Sequence, residues 1–245
     1  MVVHETINKL KAMNLQGFVD VLEQMRGTTE FDLLSFEDRI GLMTDREFAR
    51  RQNNRIQRLI QLAKFQNTHA CMEDISYSAD RKLDRQLLLE LATGNYIQKA
   101  QNVNIFGPTG AGKSYLGQAL GNAACRQGIS TRYIQLTELL DQFRIAEARG
   151  IEKVTKLRKD YTNIKLLIID EWLLFRISED DCKLLLQLID RRHNRHSTII
   201  ISQFSPDEWI EQMPIQVAAE AITDRLTAKA RTIVIEGKES MRLKE

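Results

Sequence analysis

Gly107-Pro108-Thr109-Gly110-Ala111-Gly112-Lys113-Ser114 is the stretch from which the rest of this 245-residue chain is best read. A glycine, four variable positions and then Gly-Lys-Ser make four fixed positions, and a chance match in a chain of this length is on the order of 1 in 100. Glycines at 107, 110 and 112 let the backbone turn its amides inward around an anion, and a following helix adds the partial positive charge of its N-terminus. The flanks agree: Asn102-Val103-Asn104-Ile105-Phe106 reads as a strand directly before the loop, and Tyr115 to Cys125 as a helix directly after it. In such a loop Gly107, Pro108, Thr109, Gly110, Ala111, Gly112, Lys113, Ser114 and Tyr115 surround nucleotide phosphates. Lys113 reaches the β- and γ-phosphates, and the Ser114 hydroxyl ligates Mg2+.

Downstream, apolar strand-like runs alternate with helical ones. The helix from about Lys113 to Arg126 stops at Gly128; Thr131 to Leu136 is a strand, and helices run on through Asp160. Then come Leu166 to Asp170, a helix from about Ser178 to Arg195, Thr198 to Ser202, a helix around Ala218 to Ala230, and Thr232 to Ile235. Continuously apolar strands between helices predict an α/β fold with a parallel sheet covered on both faces.

Two strand ends carry chemistry. Leu166-Leu167-Ile168-Ile169-Asp170-Glu171 ends in two carboxylates, the first of them 57 residues beyond Lys113. Asp170 is placed to hold the water shell of magnesium, and Glu171 to polarise an attacking water for in-line phosphoryl transfer. Thr198-Ile199-Ile200-Ile201-Ser202-Gln203 also ends in polar groups, so either Ser202 or Gln203 can orient that water, or the segment is a capped loop with Asp207 starting the next helix. No Asn-Lys-x-Asp or Thr-Lys-x-Asp stretch is present to read guanine, which favours ATP over GTP.

Upstream the pattern is helical. Ile7, Leu10, Leu15, Phe18, Val19, Leu22 and Met25 predict one amphipathic helix from Val3 to Met25, closed by Gly27. Ser35 followed by Asp38 reads as a second helix start, continuing to about Phe65. On it Phe48, Ala49, Ile56, Leu59, Ile60 and Ala63 share one side, and Arg46, Arg50, Arg51, Arg55 and Arg58 the other. Between Arg46 and Lys64 six basic residues meet one acid, Glu47, although the whole chain carries only +2. That stripe, with a second cluster of Lys153, Lys156, Arg158, Lys159 and Lys165, is either a phosphate-contacting surface or a solvated one. With no aromatic interleaving, DNA bound there would be held with little sequence specificity. Gln66 to Tyr77 loses periodicity and reads as a connection, giving a helical domain over residues 1–68 and a nucleotide-binding domain over 69–245.

Three dispersed cysteines, Cys71, Cys125 and Cys182, fit reduced thiols, and the lack of a signal-length or 18-residue apolar run predicts a cytoplasmic protein without membrane partners. His193 and His196 lack a third ligand for zinc.

Taken together, Asn104 to Leu116, Leu167 to Glu171, Ser197 to Gln203, Thr223-Asp224-Arg225-Leu226 and Gly237-Lys238-Glu239-Ser240-Met241-Arg242 resemble the IstB family, over nearly the whole chain. That family comprises AAA+ ATPases that assist the transposase of an insertion sequence, and it is similar to the DnaC helicase loaders. The resemblance implies a P-loop AAA+ core behind a small all-helical N-terminal domain. It implies ATP and Mg2+ as cofactors, and DNA, a cognate transposase and further copies of the chain, in a ring or helical oligomer, as partners. It matches Arg225 to the arginine finger that enters a neighbouring subunit's site, and Arg242 to the second phosphate-sensing arginine. Ile201 stands where the family carries a hydroxyl, and the chain stops three residues after Arg242, so the helical lid is expected to be reduced or absent. A helicase loader, and a binding module for which ATP is only a conformational ligand, are the competing readings.

Overall fold

In a computed structural model, which describes residues 2–28, 31–77 and 81–236, the strands β1 (Val103–Phe106), β2 (Thr131–Gln135), β3 (Leu166–Asp170), β4 (Ser197–Ser202) and β5 (Arg231–Val234) form one sheet. Its order is β2-β3-β4-β1-β5, and every neighbouring pair is parallel. Side chains alternate between faces along a strand, so the unbroken apolar runs need cover on both sides. Ile168, Ile199 and Ile201 join one core with Val103, Ile105, Leu116 and Leu120, whereas Leu167, Ile169 and Ile200 join the other with Leu139, Leu185 and Ile222. Helices α4 (Arg85–Ala92), α5 (Asn95–Gln98) and α6 (Lys113–Arg126) contribute to the first core. The second draws on α7 (Leu136–Ala148), α8 (Ile151–Asn163), α9 (Glu179–Arg192), α10 (Pro206–Gln212) and α11 (Gln216–Thr227). β5 is an edge strand with only Ile233 buried.

The cap at the end of β4 is Ser205 rather than Asp207. Its hydroxyl accepts from the Glu208 amide in a reciprocal capping box, and Pro206 occupies the first turn of α10.

Residues 1–58 and 59–245 form two compact units, divided inside α3 (Phe36–Ala63). Residues 59–68, read in sequence with the N-terminal domain, thus group with the larger unit, where Leu59, Ile60, Ala63 and Phe65 join the first core. In the smaller unit the single helix expected over Val3 to Met25 is two, α1 (Val2–Ala12) and α2 (Gln16–Gly27). Asn14 takes a left-handed φ of 58°, which asparagine tolerates well, and the Leu15 amide bonds back to the Leu10 carbonyl. Leu15 therefore belongs to a helix-to-helix turn and not to a continuous stripe.

The start of α3 at Ser35 holds: its hydroxyl accepts from the Asp38 amide at 3.1 Å and donates to the Asp38 carboxylate at 2.7 Å. The expected apolar side is corrected, because Phe48 is 63% exposed and Ala49 is exposed. Met43 and Glu47 are buried instead. A Cβ on Gly17 would lie 2.6 Å from the Glu47 backbone, so α2 and α3 cross at a contact only glycine permits, and the Gly17 amide donates to the Glu47 carboxylate at 2.8 Å. Among the described residues no helix is long and apolar enough to cross a membrane.

Candidate functional site

The loop between β1 and α6 is built on backbone freedom. Gly107, Gly110 and Gly112 have φ of 149°, 79° and 86°, in the region that L side chains avoid. At Gly107 a Cβ would also collide with the carbonyl of Ile235, whose amide bonds to Phe106 at 2.8 Å as the chain continues from β5. The loop delivers Lys113 as the first residue of the 14-residue α6. Its ammonium is largely buried and donates to the Pro108 carbonyl at 2.8 Å. Burial pushes its pKa down, and the nearby Asp170 carboxylate pulls it back up.

Asp170 ends β3, is 3% exposed, and has a hydrogen bond on each oxygen. Oδ1 accepts from the Glu171 amide at 2.7 Å, and Oδ2 accepts from the Tyr133 hydroxyl at 2.6 Å. Burial, and then the Asp170 charge, drive the Tyr133 pKa well above the ordinary range, so the phenol stays a donor. Glu171 and Leu173 both take left-handed φ, 54° and 52°. Two such non-glycine residues in one turn require firm anchoring. Trp172 supplies it: the ring is fully buried and its amide donates to the Ile201 carbonyl at 2.9 Å.

The two polar candidates at the end of β4 separate cleanly. Ser202 is buried, and its hydroxyl is engaged in three bonds: it donates to the Trp172 carbonyl and accepts from the Phe204 amide and the Trp209 indole, at 3.0–3.1 Å. It ties the Glu171 turn to α10 and has no remaining capacity to orient a water. Gln203 is exposed, and its side-chain carbonyl accepts from the Thr109 hydroxyl at 2.9 Å across the mouth of the loop.

Lys113, Ser114, Asp170, Glu171 and Gln203 thus converge on one cavity of about 500 Å³, within the size range of small-ligand sites. Thr109, Gly110, Gly112 and Tyr115 line it as well. Tyr115 also turns its hydroxyl toward the Cys71 amide, from which it accepts at 3.3 Å. The far wall, Asp74, Ile75, Ser76 and Arg81, had no signal in the sequence. Arg81 fastens that wall to the loop, donating to the Ser76 carbonyl at 2.7 Å and the Ala111 carbonyl at 2.9 Å. Inward glycine backbone, a helix N-terminus and a buried ammonium fit a polyphosphate. The oxygen donors Ser114 and Asp170 fit a hard divalent cation.

Other candidates lie elsewhere. Arg225 on α11 does not line this cavity; its Nε bonds the Asp190 carboxylate at 3.0 Å and its Nη1 the Ala221 carbonyl at 2.9 Å. Arg242 lies outside the described residues. On α3, Arg50 and Arg51 are both engaged by Glu47, whereas Arg46, Arg55 and Arg58 are exposed. Lys153, Lys156 and Lys159 are exposed at three-residue spacing on α8, and the first two line, with Arg149, a concavity of about 310 Å³ between α7 and α8.

A parallel sheet in this order, with a glycine loop entering a helix beside a strand ending in Asp-Glu, defines a P-loop nucleotide-binding protein of the AAA+ class. Residues 8–245 match the family described as IstB-like ATP binding protein, and the chain belongs to that family. An insertion sequence ATP-binding protein of Sinorhizobium fredii is 35% identical over 242 residues, 99% of this chain and 97% of the relative. An ATP-binding protein of the insertion sequence IS1162 of Pseudomonas fluorescens is 37% identical over 203 residues, 83% and 87% of the two chains. The crystal structure of the DnaC helicase loader shares the fold, with a TM-score of 0.56 and 19% identity over 68% of this chain and 97% of that one.

Proposed function

We propose that this ATP-binding protein hydrolyses ATP and, assembled on DNA, assists the transposase of an insertion sequence. The observation that carries the hydrolytic part is Glu171, a half-buried carboxylate on a strained turn at the rim of the cavity, one residue past the strand-end Asp170. Loop amides and the Lys113 ammonium bind the phosphates, Gln203 faces the loop from the next strand, and Glu171 accepts a proton from the attacking water. Mg2+, held between the Ser114 hydroxyl and Asp170, would neutralise charge on the phosphates.

Assembly is supported by the position of Arg225. Its guanidinium does not line its own cavity and is held by the Asp190 carboxylate and the Ala221 carbonyl, so a nucleotide phosphate that it met would be one bound by another copy. Contact with DNA is supported by exposed cations on two surfaces, Arg46, Arg55 and Arg58 on α3 and Lys153, Lys156 and Lys159 on α8. The relatives named as insertion sequence proteins favour a transposase as partner. Glu171→Gln tests the reading. ATP affinity should stay within about threefold while phosphate release, with and without DNA, falls by about 100-fold or more. Unchanged turnover would remove Glu171 as the base.

A further inference from the structure

We propose that Tyr133 is a positioning residue that sets the plane of the Asp170 carboxylate for its divalent cation; this rests on Asp170 being the carboxylate that faces that cation. A carboxylate offers about four lone-pair sites on its two oxygens. In this structure one on each oxygen is taken by a protein donor, the Glu171 amide at 2.7 Å and the Tyr133 hydroxyl at 2.6 Å. Two lone pairs stay available, and the two bonds together fix the torsion that decides where they point. The backbone amide alone cannot do this, because a carboxylate held at one oxygen still rocks about that bond.

Tyr133 is suited to the task by its own confinement. It sits on β2 beside β3, is 4% exposed, and its ring belongs to the core on the α6 side, so the hydroxyl has one available acceptor direction. Without that bond Oδ2 is a desolvated acceptor with no donor, in a site where the Lys113 ammonium is the nearby competing positive group. Freed to rotate, the carboxylate no longer presents its two open lone pairs in one fixed direction. Tyr133 does not line the cavity and works through Asp170, in the manner of the hydrogen-bond partners that orient metal ligands in other proteins.

Tyr133→Phe in the full chain keeps the ring and removes only the donor. Binding of a fluorescent ATP analogue, measured in EDTA and across a Mg2+ series, separates the possibilities. The expected result is an approximately tenfold rise in the Mg2+ concentration needed to reach half the cation-dependent gain in affinity. Affinity in EDTA should stay within about twofold of wild type, with the thermal midpoint within a few degrees. Superimposable Mg2+ curves would overturn the assignment, and so would an equal loss of affinity in EDTA, which would mark Tyr133 as general packing. Wild-type protein whose affinity ignores Mg2+ would remove the reading of Asp170, and the role of Tyr133 with it, a failure visible before any variant is made.

Discussion

The larger unit of this protein encloses several charged side chains, and among the described residues the smaller one encloses a single carboxylate. In the unit from Leu59 onward Lys113, Asp170 and Arg192 are each under a tenth exposed, and each is surrounded by named partners. Among the described residues of the first 58 one buried charge, Glu47, serves Gly17, Arg50 and Arg51 together, while Leu33, Phe36 and Phe48 are 96%, 74% and 63% exposed. The difference shows where each unit gets its rigidity. A doubly covered sheet can enclose polar groups because it supplies carbonyls, amides and apolar cover at once. Three helices supply little cover, so a single carboxylate takes over part of the core's role.

The contrast would break first at Arg192. Its guanidinium is 1% exposed with no carboxylate paired to it among the described residues, and burial pulls its pKa down to about 9. It donates to the carbonyls of Tyr161, Thr162, Ile164 and Ser197 and to the Thr198 hydroxyl. Three of these carbonyls lie at the C-terminal end of α8, whose partial negative charge stands in for a counter-ion. Arg192→Met should cost about 4 kcal/mol by leaving these acceptors unpaired in the core. For a chain of this size that is roughly a 10 °C fall in thermal midpoint. Arg192→Lys keeps the charge but not the fork, and should recover less than half of the loss. A cost no larger than that of a surface substitution would show that burial of polar groups is not what stiffens this unit.

How much of this was legible follows the same divide. The loop at 107–114, the helix after it and β3 with its two carboxylates could be read because each depends on neighbours in sequence. Lys113 to Arg126 is the observed α6, and Leu166 to Asp170 the observed β3. Tyr133, Arg81 and the Asp74 to Ser76 wall escaped because their roles come from contacts 30 or more residues away in the chain, which no periodicity encodes. Ser202 was legible as a polar strand end but not as a consumed one, since its three partners arrive from the Glu171 turn and from the loop and helix after β4. On α3 the 100° pattern located Ile56, Leu59, Ile60 and Ala63 on the covered side and failed at Phe48 and Ala49, where the covered face is instead the one that carries Met43 and Glu47.

Glu47 is the next place to press. Hydrogen bonds from Arg50 and then Arg51 hold its pKa down at about 2, against an ordinary value of 4.5, with the Gly17 amide adding to them. A carboxyl depressed in the folded state contributes stability that is present above pH 4.5 and lost as pH falls toward 2. Glu47→Gln keeps an acceptor for Gly17 but loses the charge. It should cost about 1–2 kcal/mol at neutral pH, less than a fully enclosed pair because Arg51 is 60% exposed. Hydrogen exchange across α2 and α3 reads it: wild type should lose protection between pH 4.5 and 2, and the variant should show no such step. An unchanged acid step would place the titrating group elsewhere.

Ser35→Ala is the mildest test and the one that isolates the smaller unit. The Ser35 hydroxyl takes the Asp38 amide and donates to its carboxylate, closing the first turn of α3 on an exposed surface. Losing an N-cap of this kind costs about 1 kcal/mol. Because the cap lies 24 residues before Leu59, where the larger unit begins, the loss should appear as faster exchange of the first amides of α3, with ATP affinity unchanged. If affinity for ATP falls as well, the two units do not keep their stabilities apart, and the contrast between them describes one cooperative structure.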